Sequence, residues 1–118
     1  MGGGGKVMSV TFELAGQRLI ALNGGPHYQL TPAFSLFVSV TTQAELDRIW
    51  DALLAGGGKP SRCGWLVDRF GLSWQVVPTV LGKLMSDPDP ERSSRAVQAM
   101  MGMVKLDIAA LERAAAGG

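Results

Sequence analysis

Apolar and polar residues alternate at residues 7–14, with Met8, Val10, Phe12 and Leu14 on one side and Ser9, Thr11 and Glu13 on the other. A period of two marks a strand. Ala15-Gly16 supplies a two-residue turn, and residues 17–23 return as the hairpin partner. Gly24-Gly25-Pro26 ends the pair, and a connection over residues 27–32 leads to a third strand at 34–40. There Phe34, Leu36, Val38 and Val40 form the apolar side. The period then changes. Leu46, Ile49, Trp50, Leu53 and Leu54 recur at helical spacing, behind a capping box of Thr42 and Glu45, and the glycines at 56–58 stop the helix.

The next segment, CGWLVDRFGLSWQVVP at 63–78, reads as two short strands joined by a tight turn at Asp68-Arg69-Phe70-Gly71. An Asp side chain bonds its own backbone in such a turn, and Gly accepts the positive φ that other residues resist. In the second of these strands Leu72, Trp74 and Val76 point to the apolar face, while Ser73, Gln75 and Val77 form a mixed face. Residues 33–78 thus read strand, helix, strand, strand, with a short or irregular strand around 60–63. After Pro78 the pattern turns helical, with a short turn or helix at 80–85. A helix capped by Asp89 with Pro90 at its first position follows, and then a last helix capped by Asp107.

Composition narrows the function classes. A chain of 118 residues suits one domain with a real core. The net charge of +1 gives no electrostatic drive toward nucleic acid or an anionic membrane. No run approaches the roughly 18 to 20 apolar residues of a membrane span. Residues 2–5 form a glycine lead without the apolar stretch of a signal peptide. The single Cys63 cannot form an internal disulfide, so a reducing cytoplasm is the expected location. One Cys and one His also exclude a Cys/His zinc cluster.

The segment at 63–78 resembles the closing hairpin of the PhnB-like branch of the vicinal oxygen chelate superfamily, the glyoxalase and bleomycin-resistance fold. Members of the branch are often named demethylubiquinone methyltransferase-like. FELAGQ at 12–17, ALNGGP at 21–26, Trp50, DPDP at 87–90 and QAMM at 98–101 extend the likeness over most of the chain. The resemblance implies an α+β fold with a mixed sheet built from modules of strand, helix and three strands, two of which normally pair around one cup. Here residues 33–78 correspond to the second module and 7–25 to the last two strands of the first. The first module's opening strand and helix have no counterpart, and residues 79–118 add C-terminal helices. One domain, 1–118, is expected. Strand 7–14 is expected to be an open edge, which proteins usually cover, and a homodimer would cover it.

In the superfamily's metal-binding branches, acids or imidazoles on the first and last strands hold a divalent ion. By position those slots fall at Ser35, Gln75 and Asn23, all neutral and poor transition-metal ligands, so no metal is expected. They are good hydrogen-bonding groups, and an uncharged organic ligand in the concave face is the corresponding expectation. Asn23, Ser35, Phe37, Trp65 and Gln75 are the candidate ligand-binding residues. A competing possibility is that Gln75 and Ser35 simply bond each other across the sheet. His27 on its loop lacks an orienting partner and reads as a surface residue, as does Glu13. Trp50 and Trp74 read as core, and Cys63 as an inert strand thiol. No glycine-rich strand-to-helix turn offers a place for S-adenosylmethionine, so no cofactor is expected. No catalytic residue stands out. Three functions stay open: a small-molecule binding protein, an isomerase, lyase or transferase using polar groups of the cup, and an interaction module working through an open sheet edge.

Overall fold

The computed structural model describes residues 7–118; the glycine lead at 2–5 lies outside them. The chain begins with a hairpin of β1 (Ser9–Leu14) and β2 (Gln17–Leu22), paired antiparallel from Ser9 opposite Leu22 to Leu14 opposite Gln17. Ala15 and Gly16 both take positive φ, 52° and 81°, the turn whose twist matches the flanking strands. The hairpin is a two-stranded sheet of its own. Its alternation is as the sequence pattern predicts, but neither face is buried: Val10 is 51% exposed, Ile20 65% and Leu22 71%.

The second sheet holds β3 (Ser35–Val40), β4 (Lys59–Pro60), β5 (Trp65–Val67) and β6 (Ser73–Pro78) in the order β3-β6-β5-β4. β3 and β6 run parallel and the other pairs antiparallel, which makes the sheet mixed. The parallel pair needs a crossover, and α1 (Gln43–Leu54) supplies it. Thr42 Oγ1 accepts from the Glu45 amide at 3.2 Å, and the Glu45 carboxylate accepts from the Thr41 amide at 3.1 Å, so the predicted box forms with its return bond one residue early. Phe34 falls outside β3 and is exposed, which removes it from the apolar face assigned to it.

The Asp68 turn closes β5 onto β6. One Asp68 oxygen accepts from the amides of Phe70 at 2.9 Å and Leu72 at 3.0 Å, and the other accepts from the Trp74 indole at 2.8 Å. Cys63 lies in the turn before β5 with φ 58°, not in a strand. It takes this conformation because the Cys63 and Gly64 amides donate to the carbonyls of Met103 and Val104, both at 2.8 Å, instead of to a neighbouring strand.

Three further helices complete the chain: α2 (Thr79–Met85), α3 (Pro90–Met101) and α4 (Ile108–Ala116). Asp89 and Asp107 cap α3 and α4 through side-chain bonds of 2.9 and 3.0 Å. Gln43 on α1 ties the last segment down, donating to the Leu106 carbonyl at 3.1 Å and accepting from the Ile108 amide at 2.8 Å. The Gln43 amide, and next the Lys105 ammonium, hold the Asp47 carboxyl below its ordinary range. Arg95 closes α4 by donating to the carbonyls of Ala114 and Ala115. The core lies between α1, one face of the sheet and these helices, with Leu46, Leu66, Leu106 and Leu111 wholly buried beside Val40, Trp50, Val76 and Leu81. Trp74 packs at the edge of this cluster, half-buried.

Candidate functional site

The period-two alternation that turns Val40, Leu66 and Val76 into the core aims Phe37, Trp65 and Gln75 at the opposite face. Register then sets them in one row. Phe37 is the β3 partner of Gln75, and Trp65 is its β5 partner. An amide therefore stands between two aromatic rings across three strands. One step along, Ser39 pairs with Val77.

This row forms one wall of a cleft of about 570 Å³. Cys63, Ser39 and Val77 complete the sheet side, and Pro78, Thr79, Leu81, Gly82, Met85 and Met100 bring α2 and α3 in as the opposite wall. The lining carries no charged side chain. Gln75 Nε2 donates to Ser35 Oγ at 3.0 Å, the cross-sheet bond weighed above as the competing possibility. Among the described residues the Gln75 carbonyl oxygen accepts no hydrogen bond, so one polar function of this side chain remains for a ligand.

Of the five candidate residues, Phe37, Trp65 and Gln75 come together in the cleft. Ser35 touches Gln75 but does not line the cleft. Asn23 does not join them: it follows the hairpin, and its side-chain amide donates to the Val7 carbonyl at 3.3 Å. The helix wall went unseen in the sequence. Val77 already stands on the mixed face read from the sequence, and Ser39 lies two positions beyond the candidate Phe37. His27 and Glu13 are exposed and stand outside the lining.

Of the three slots, Ser35 and Gln75 lie together, bonded at 3.0 Å, while Asn23 stands apart with its side-chain amide on the Val7 carbonyl of the hairpin. Among the described residues no three His, Cys, Asp or Glu side chains cluster around a common point. Among the described residues, the two strand-to-helix junctions of the second sheet are not glycine-rich. The chain passes from β3 to α1 through Thr41-Thr42 and from β6 directly into α2 at Pro78-Thr79, and neither junction contains the glycines that let a backbone approach a nucleotide-like cofactor. No helix among the described residues is long and apolar enough to cross a membrane.

Comparison with known proteins agrees with this architecture. Residues 2–77 match the model of the family described as 3-demethylubiquinone-9 3-methyltransferase. The match ends at the last strand, so α2 to α4, with the segments at 87–90 and 98–101, lie beyond it. Among solved structures, a Bacillus cereus PhnB protein is 28% identical with a TM-score of 0.55, and the alignment covers 61% of this chain and 64% of that one. Protein PA1353 from Pseudomonas aeruginosa is 25% identical with a TM-score of 0.51, over 61% of this chain and 62% of that one. The chain thus spans less than two thirds of either structure's length. No curated protein matches. A family match over more than half the chain, on a mixed sheet shared with two such structures, places it: the chain belongs to the 3-demethylubiquinone-9 3-methyltransferase family, in the PhnB-like branch of the glyoxalase and bleomycin-resistance superfamily.

Proposed function

We propose that this protein binds a small uncharged organic molecule in the cleft between the Phe37–Gln75–Trp65 row and α2 and α3, without a metal or a cofactor. One observation carries the reading: the cleft of about 570 Å³ combines an uncharged, mostly apolar lining with a single amide flanked by two aromatic rings. The volume falls within the range of small-molecule sites, which are apolar walls with a few polar groups that fix orientation. Trp65 and Phe37 offer ring faces, Met85 and Met100 offer polarizable thioethers that favour aromatic partners, and Gln75 offers an acceptor. A ring carrying one hydroxyl donor satisfies all three.

The test uses 2-naphthol as the probe and maps amide and side-chain chemical shifts on the labelled protein. The expected result is saturable shifts at Phe37, Trp65, Gln75 and Met100, with an affinity that changes little between low and high salt because no charge lines the cleft. Shifts confined to the β1–β2 hairpin or to α4 would refute this placement of the site.

The same reading includes a homodimer in the cytoplasm. A two-stranded hairpin is marginal in water unless something packs on it, and Phe12, Ile20 and Leu22 are exposed here. A second copy is the partner most often used to cover such a surface. Native mass spectrometry of protein purified without a metal-affinity step examines both points together. It should show a species of twice the 12.5 kDa chain mass with no metal adduct. A monomer alone removes the dimer, and a stoichiometric zinc, iron or manganese adduct removes the metal-free reading.

A further inference from the structure

Among the described residues, Gly82 is the glycine that lies inside a regular element; every other one falls in a turn, a loop or at a helix end. It sits in the middle of α2, where glycine is the poorest helix former apart from proline. Two structural reasons usually account for such a residue, and neither applies. Its backbone is not in the left-handed region, and beyond its own helix backbone and chain neighbours a Cβ built on it meets no atom within 4 Å. Gly64 shows the contrast, because there a Cβ would meet both a side chain and a carbonyl at 3.0 Å. The protein's own packing therefore does not require the bare backbone at residue 82. The residue does line the cleft, on the wall facing the sheet.

We propose that Gly82 sets the size of ligand the cleft accepts, leaving bare backbone where a second fused ring lies, so that the ligand class is a planar uncharged molecule of two-ring size. The inference rests on the reading of the cleft as a small-molecule site. Its physical content is that α2 gives up helix propensity at one position to keep a ring-sized space open. The neighbouring Leu81 faces inward to the core and is buried, while Met85 lies one turn on from Leu81 and lines the cleft beside Gly82. Gly82 is exposed at the cleft beside Met85, and a methyl there would meet no atom outside its own helix backbone within 4 Å.

Gly82→Ala and Gly82→Leu separate the possibilities, with 2-naphthol and phenol as two-ring and one-ring probes. Both variants should melt at or above the wild-type temperature, since each residue is a better helix former than glycine and a Cβ at 82 meets open space. Gly82→Leu should weaken 2-naphthol binding by roughly tenfold or more, the scale of overfilling a packed site. Its affinity for phenol should stay within about threefold of wild type. Equal 2-naphthol affinity in wild type and Gly82→Leu, with wild-type shifts at Phe37, Trp65 and Gln75, would overturn this inference and leave the site reading intact. A lowered melting temperature for Gly82→Ala would also overturn it, by revealing a structural need for the glycine. Absence of any 2-naphthol binding to the wild type would overturn the site reading and this inference together.

Discussion

Gly64→Ala is expected to destabilise the protein by about 2 to 5 kcal/mol, a large fraction of the roughly 5 to 15 kcal/mol that holds a typical domain folded. Two effects add. Gly64 holds φ at 84°, and an L side chain in the left-handed region costs about 1 to 2 kcal/mol. The new methyl would also stand 3.0 Å from Leu106 Cδ1 and 3.0 Å from the Val76 carbonyl. Leu106 is wholly buried and the Val76 carbonyl is backbone, so neither neighbour can swing away. Overpacking of this kind costs about 1 to 3 kcal/mol more. The position is also a junction: its amide donates to Val104 and its carbonyl accepts from Val76, both at 2.8 Å, so displacement would loosen the C-terminal helices from the sheet. Urea unfolding is the measurement. A midpoint equal to that of the wild type would show that the left-handed turn at 63 and 64 is wrong.

Trp50→Ala is the second large effect, expected at about 3 to 5 kcal/mol. Trp50 is 5% exposed on α1 and packs in the cluster with Val40, Leu66 and Val76. Its removal opens a cavity between the crossover helix and both strands of the parallel pair, a place where the backbone ladder limits collapse. The denaturant midpoint should fall while the slope stays near that of the wild type, because the surface exposed on unfolding changes little. A loss below about 1 kcal/mol would mean that α1 does not rest on this face of the sheet.

Local chemistry made much of this legible in advance. Asp68 and Gly71 announced their turn because each solves a local backbone problem, and the Thr42–Glu45 box and the Asp89 and Asp107 caps did the same for their helices. Period two was enough to send Gln75 and Trp74 to opposite faces. Long-range matters were not legible. The bond from the Trp74 indole to Asp68 follows from three-dimensional closure of the hairpin, not from the alternation that placed Trp74 in the core. Asn23 and Ser35 belong to the candidate set by their position in a family pattern; packing sets Asn23 on the hairpin backbone and Ser35 against Gln75, outside the cleft lining. The helix wall depends on bonds from Cys63 and Gly64 to residues 40 positions later, for which no local signal exists. Cys63 was misread as a strand residue for the same reason: its left-handed backbone answers to Met103, not to its neighbours.

The family match stops at residue 77, one residue before the cleft's second wall begins at Pro78. The family match therefore describes the sheet wall and leaves the helix wall outside it. Drift in α2 and α3 can re-tailor the cavity while the strands, and the family description attached to them, stay as they were. On the proposed reading of the cleft, the family description does not reach the ligand, and Gly82, Met85 and Met100 are the positions that would distinguish one binding preference from another.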